Sequence, residues 1–222
     1  MKVTTDSCFF GAWCAEEIQN SKLKVQDLLD IGTGSGLLSL MIAQKNNLDI
    51  DAVEIDTAAA AQAKENIEAS PWKNSIHVFN HDILSFHANR KYDCIVCNPP
   101  FYQNELTSDK QNKNIAHHSE QLTIQQVLGF IKNNLKENGI FFLLFPFKRE
   151  KEIAALLLQQ NLFTAKKIFL KQTDMHQPFR IAVMGTNKKT EAEDSSVINI
   201  RDEHQQYTGT FTHFLQDYYL YL

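Results

Sequence analysis

The 222-residue chain is poor in glycine, with 8 residues, about 4% where roughly 7% is usual. Such scarcity fits a regular, well-packed chain, and no repeat or low-complexity block is visible. Proline is scarce too, at 5 residues. Four cysteines are too few for a disulfide scaffold. No hydrophobic run approaches the roughly 18 residues needed to span a bilayer; the longest, 140–145, is of strand length. The opening Met1-Lys2-Val3-Thr4-Thr5-Asp6 turns polar at once and does not read as a signal peptide, so the expected location is cytoplasmic. Basic charge is not in excess: the formal net charge is -4, which excludes a non-specific coater of nucleic acid but leaves room for a selective nucleic-acid enzyme with local basic patches. What remains, 43% hydrophobic and 22% charged residues, describes one ordinary domain with a sizeable core. The expectation is a single, monomeric unit over 1–222, with an N-terminal segment at 1–24, a core at 25–186 and a C-terminal strand and helix at 187–222.

Strand and helix patterns alternate along the core. Segments 25–31, 50–55, 76–79 and 92–97 read as strands. Between the first two, Leu37, Leu38, Met41 and Ile42 recur at helical spacing; between the next two lies an Ala-rich helix over 58–69, capped by Thr57 and stopped by Pro71. A polar stretch, 103–120, is long for a plain connection and reads as functional or mobile. Thr123 and Gln126 predict a capping box, with Ile124, Val127, Leu128, Ile131 and Leu135 on one helix face and Asn138-Gly139 as its stop. Segment 140–145 is apolar throughout, as a strand covered on both faces should be. Ile153, Leu156 and Leu157 mark a further helix. Segments 165–170 and 179–184 are joined too closely for a crossover helix and predict an antiparallel pair. The stretch 187–196 reads as flexible, 197–201 as a last edge strand. Phe211, Phe214, Leu215, Tyr218 and Tyr219 form a helical stripe better suited to packing than to a ligand. The alternation predicts a doubly wound α/β sheet of seven strands, mostly parallel, with an antiparallel C-terminal pair. Ligands of such sheets sit beyond the carboxyl ends of the strands, near the switch in strand order.

The chemistry-bearing residues fall at those ends. Three of the eight glycines occupy one turn, Asp30-Ile31-Gly32-Thr33-Gly34-Ser35-Gly36-Leu37, where the backbone can turn tightly and let a ligand approach main-chain atoms. The dinucleotide fingerprint would need glycine at Leu37, and no Gly-Lys-Ser/Thr of a P-loop follows. Glu54 ends the second strand, placed to accept a ribose's hydroxyls; Asp56 suits the start of the next helix. Asp82 follows the third strand and could be a plain turn residue. Asn98-Pro99-Pro100-Phe101 follows the fourth. Prolines there stop a strand and also fix a backbone. An exocyclic ring amine holds its lone pair in the ring, and two acceptors on its N–H groups favour the geometry that frees it. The Asn98 side-chain oxygen and the Pro99 carbonyl can be those acceptors, and Phe101 or Tyr102 can stack on a base turned out of its helix.

The pattern Asp-x-Gly-x-Gly-x-Gly resembles the first motif of S-adenosylmethionine-dependent methyltransferases, and Asn98 to Phe101 resembles the catalytic motif of those acting on planar amino nitrogens. Further segments narrow the resemblance: 1–6 with Gly11-Ala12-Trp13, 29–40, Ala52-Val53-Glu54, Glu65-Asn66-Ile67, Ser70-Pro71-Trp72, Asn98 through Tyr102, and Tyr218-Tyr219-Leu220. Together they are similar to the bacterial tRNA (adenine-N6)-methyltransferases that modify adenine 37 of a valine tRNA. The resemblance covers nearly the whole chain. It implies a Rossmann-like class I methyltransferase fold, S-adenosyl-L-methionine as cofactor, tRNA as partner, and no metal. Cofactor binding would fall to Asp30, Gly32, Gly34, Gly36, Glu54 and Asp82, the last taking the adenine amino group. Catalysis would fall to Asn98, Pro99, Pro100 and Phe101, and RNA contacts to Tyr102, Lys110, Lys113 and His117. Two departures stand out. Members of that family carry a Phe-, Lys- and Gln-rich stretch ahead of the Met-Lys-Val with which this chain begins. Where they have Ala-Arg-His, this chain has Ala116-His117-His118, and a histidine is the weaker phosphate partner at pH 7.

Other readings are less well served. Methylation of guanine N2 in rRNA or of glutamine N5 in protein shares the chemistry, but only 29 residues precede Asp30, too few for the helical domain of the glutamine enzymes. DNA adenine enzymes add a recognition domain for which there is no space. A nicotinamide-dependent oxidoreductase is opposed by Leu37, and a non-catalytic cofactor-binding module by the intact Asn98 and Phe101. Cys94 and Cys97 point to opposite faces of a strand and read as buried thiols rather than metal ligands. The Lys148, Arg149, Lys151 group and the pairs Lys166-Lys167 and Lys188-Lys189 read as solvated faces.

Overall fold

A computed structural model describes residues 3–99, 122–189 and 192–221. Its eight strands form one sheet in the order β3-β2-β1-β4-β5-β7-β6-β8. They are β1 (Asp27–Ile31), β2 (Asp49–Glu54), β3 (Ile76–Asn80), β4 (Tyr92–Cys97), β5 (Leu135–Pro146), β6 (Phe163–Lys171), β7 (Arg180–Thr186) and β8 (Asp194–Asn199). The helices are α1 (Thr5–Asn20), α2 (Leu37–Lys45), α3 (Thr57–Glu68), α4 (Ile124–Asn134), α5 (Glu150–Gln159) and α6 (Gly209–Leu215). The strands β1 to β5 pair in parallel, and β7 lies antiparallel between β5 and β6 as the short connection requires.

The sheet has eight strands rather than the seven expected, because β8 pairs in parallel with β6 from Lys166↔Asp194 to Lys171↔Asn199. That pairing also removes Asp194, Ser195 and Ser196 from the stretch read as flexible. Their side chains are exposed at an edge, so the sequence there carries no apolar alternation to announce a strand.

Two hydrophobic layers cover the sheet, and β5 shows how one strand serves both. Ile140, Phe142 and Leu144 face the layer built with α1, α2 and α6; Phe141, Leu143 and Phe145 face that of α4 and α5. Cys94 and Cys97 likewise fall in opposite layers, and all four cysteines are buried and free. Helix α1 lies in the segment to which no element was assigned. Every residue from Cys8 to Ala15 is buried, so the middle of the helix has no polar face and shows no 3.6-residue stripe. Phe9 stacks on Phe211, with Phe214 edge-on at 5.2 Å, the packing expected of the C-terminal aromatics. Tyr218 and Tyr219 lie beyond the end of α6 rather than in it.

Two boundaries differ from expectation. Asp56, not Thr57, caps α3 by accepting from Ala59 N at 2.8 Å; Thr57 Oγ1 instead donates to Asn80. The α4 capping box of Thr123 and Gln126 is formed, but α4 ends at Asn134. Leu135 is already paired with Tyr92, and Asn138, at φ 67, belongs to an irregularity inside β5. The strand takes over early because Leu135 is buried against α4's own layer.

Candidate active site at the carboxyl edge of the sheet

The parallel register gathers four of the predicted segments. Ile31 pairs with Val53 on one side and with Cys97 on the other, and Glu54 pairs with Asn80. Gly32, Glu54, the turn after Asn80 and Asn98 therefore stand side by side at the carboxyl ends of β1, β2, β3 and β4. Neighbouring strands lie about 4.8 Å apart, which makes this one continuous rim. The chain proceeds outward from β1 to β3 and then returns to β4 on β1's other flank. The glycine turn and Asn98 thus flank the switch point, where such sheets bind ligands.

The three glycines of the turn do different work. All have positive φ: 70° at Gly32, 61° at Gly34 and 85° at Gly36. A Cβ on Gly32 would meet nothing within 4 Å, so the main chain there borders open space. Gly34 is buried and its N–H donates to Glu54 Oε2 at 2.8 Å. Gly36 begins α2, and a Cβ there would touch Ile67 of α3 at 3.4 Å. Gly32 borders open space, Gly34 ties the turn to Glu54, and Gly36 admits α3.

Asp30 is fully buried beneath the turn. Its Oδ2 accepts from Thr33 Oγ1 at 2.6 Å and Ser39 Oγ at 2.7 Å. Burial pushes its carboxyl up to about 6, against the lowering effect of those two hydroxyls and with a further push from the Glu54 charge. Its Oδ1 has no hydrogen-bond partner among the described residues, a costly state for a buried carboxylate oxygen. Glu54, 7% exposed, is already engaged: Oε2 takes Gly34 N, and Oε1 takes Asp56 N at 2.9 Å. The sequence offered no sign of this, because it depends on how the glycine turn folds. Each oxygen keeps a second lone pair. Asp82 sits in the turn after β3, where Oδ1 accepts from Leu84 N; nothing among the described residues bonds its Oδ2. These residues fit a polar, cationic, nucleoside-bearing ligand. There is bare backbone at Gly32, a buried acid beneath it at Asp30, spare acceptors at Glu54 and Asp82, and no Lys or Arg paired with any of the three acids among the described residues.

Asn98 is half-buried and Pro99 buried. The Asn98 amide donates from Nδ2 to Ser7 Oγ of α1 at 2.9 Å, so α1 contributes to this rim, which the sequence did not indicate. Pro100, Phe101, Tyr102, Lys110, Lys113 and His117 lie outside the described residues. Several of the other basic groups are tied up locally: Lys166 to Glu17, Lys167 to Glu150 and Glu193, Arg149 to Glu152 and Lys188 to Glu137. No group of metal-ligating side chains occurs among the described residues, and no helix among them is long and apolar enough to cross a membrane.

Residues 14–143 match the family model of the methyltransferase small domain. The chain belongs to this methyltransferase family. Among curated proteins it is 40% identical over 182 residues to the tRNA1(Val) (adenine(37)-N6)-methyltransferase of Dyadobacter fermentans, covering 82% of this chain and 73% of that one. It is 36% identical over 228 residues to the enzyme of the same name from Cytophaga hutchinsonii, covering 100% and 92%. Among solved structures, an S-adenosylmethionine-dependent methyltransferase from Clostridium acetobutylicum superposes with a TM-score of 0.60 at 15% identity, covering 83% of this chain and 92% of that one. That last likeness is one of fold. The Rossmann-like α/β architecture expected from the sequence is the architecture found.

Proposed function

We propose that this chain transfers a methyl group from S-adenosyl-L-methionine to the exocyclic N6 amine of an adenine in tRNA, namely adenine 37 of a valine tRNA, and works in the cytoplasm. The observation that carries the reading is the register that sets Asn98-Pro99 beside the Gly32 turn across the switch point. The relatives' shared name supplies the substrate. When bound, the cofactor supplies an electrophilic methyl on a cationic sulfur.

Gly32 would let the cofactor lie against the main chain, and Asp30, buried beneath the turn, would act from below by holding Thr33 and Ser39 and by its negative charge. Glu54 uses its spare lone pairs for the ribose hydroxyls, and Asp82 Oδ2 takes the adenine amino group. Asn98 Oδ1 and the Pro99 carbonyl accept the two N–H groups of the target amine. That geometry would free the nitrogen lone pair from the ring. The proton that the methylated nitrogen sheds would pass to water, with no strong base needed, so Asn98 and Pro99 act by positioning the amine. Phe101 and Tyr102 stack on the extruded base, while Lys110, Lys113 and His117 meet the RNA backbone. The test is methyl transfer from labelled cofactor to tRNA taken from cells lacking this protein. Label in the RNA is expected; label in protein instead, or in neither, would overturn the reading.

A further inference from the structure

The contact between Asn98 and α1 spans 91 residues of sequence and has a direction. Ser7 Oγ lies 2.9 Å from Asn98 Nδ2 and 2.8 Å from Thr4 Oγ1. A hydroxyl has one proton and two lone pairs. Either hydroxyl can be the donor in the Ser7–Thr4 pair; when Ser7 gives its proton to Thr4, it is left with lone pairs alone for Asn98, which the Nδ2–H side of the amide answers. The amide is therefore held with Nδ2 toward α1 and Oδ1 turned away from Ser7. Reversed, the amide would set oxygen against a lone pair at Ser7 and N–H against N–H at the substrate amine. The start of α1 is itself fixed: Cys8 N donates to Thr4 O at 3.0 Å, and Asp6 Oδ2 accepts from Nε of Arg180, the first residue of β7, at 2.8 Å.

We infer that Ser7, with Thr4 behind it, is a positioning residue that fixes the orientation of the Asn98 amide so that Oδ1 faces the methyl-accepting amine. This rests on the reading of Asn98 as an acceptor for that amine. Ser7 touches neither reacting atom; its effect passes through the amide. Removing its hydroxyl frees the amide to turn and loses one hydrogen bond, an effect of about tenfold in rate.

The experiment is steady-state methyl transfer to tRNA from cells lacking this protein, by wild type, Ser7→Ala, Ser7→Thr, Asn98→Ala and the Ser7→Ala/Asn98→Ala pair, with cofactor binding followed by thermal shift. Ser7→Ala is expected to lower kcat about tenfold while leaving the cofactor-induced shift and the KM for tRNA within twofold of wild type. Ser7→Thr, which keeps the hydroxyl, is expected to restore most of kcat. In the Asn98→Ala background, Ser7→Ala is expected to add no further loss. Wild-type kcat in Ser7→Ala, or a full additional tenfold loss in the pair, would overturn the inference while leaving the acceptor role of Asn98 standing. Wild-type turnover by Asn98→Ala would instead remove that role, and the inference with it.

Discussion

The two edges of the sheet treat their acids in opposite ways. At the amino edge, Asp27, Asp49, Asp51 and Asp93 surround two cations. Arg90 reaches Asp27 at 2.8 Å, Asp49 at 2.5 Å and Asp51 at 3.2 Å; Lys136 reaches Asp27 at 2.6 Å and Asp93 at 3.0 Å. Tyr92 adds an O–H to Asp51, and two backbone N–H groups close on Asp93. Burial acts to raise Asp49, but the Arg90 contacts, with His77 beside them, outweigh it and hold the carboxyl below its usual range. At the carboxyl edge, Asp30 and Glu54 have only neutral donors, and burial wins at Asp30. Among the described residues, one sheet therefore carries an end whose acids are paired with cations and an end whose acids are not. The paired end holds strands together. At the other end the unpaired acids suit the cationic cofactor of the proposed function.

The largest effect that would break this contrast concerns Asp30. Its folded pKa, about 6, lies above the ordinary 3.8. A raised carboxyl stabilises the fold fully below the ordinary value and loses that contribution as pH rises through the folded value. Without cofactor, wild type is expected to lose roughly 2.4 kcal/mol relative to Asp30→Asn between pH 4 and pH 7. Paired denaturant melts across that range measure it; a constant difference would mean that Asp30 is not destabilised by charge. Next comes Arg90→Met at the opposite edge, expected to cost about 2 kcal/mol, discounted because the side chain is 33% exposed. Calorimetric titration of the variant should give wild-type cofactor affinity. Weakened affinity would show that the edges are not independent. The smallest effect is Glu54→Gln. One of its two backbone partners, Gly34 N or Asp56 N, would then face an amide N–H. A roughly tenfold weaker cofactor Kd and a lowered melting temperature are expected from one lost charge-assisted hydrogen bond. Unchanged affinity would take Glu54 out of the cofactor site.

How much of this was legible depended on whether a signal was local. Gly32, Gly34, Gly36 and Pro99 announce themselves because the backbone needs them where a strand ends, and those ends are where the ligand goes. Asp56 was visible as a helix start. Helix α1 was not, because its middle, Cys8 to Ala15, is buried on all sides and presents no stripe to read. The eighth strand was not, because an edge strand can be polar. The two links that shape the site, Gly34 to Glu54 and Ser7 to Asn98, join residues 20 and 91 positions apart. Nothing in either local stretch encodes the other, and only the folded register brings them together.

The central claim, methyl transfer to an adenine amine from a cationic cofactor held at the carboxyl edge, is tested most directly by nucleoside mass spectrometry. Total tRNA from cells lacking this protein is incubated with S-adenosyl-L-methionine and the purified chain, digested and analysed. The account predicts the appearance of N6-methyladenosine, localised to the valine tRNA and lost with Asn98→Ala. A different methylated base, or N6-methyladenosine undiminished in Asn98→Ala, would contradict it.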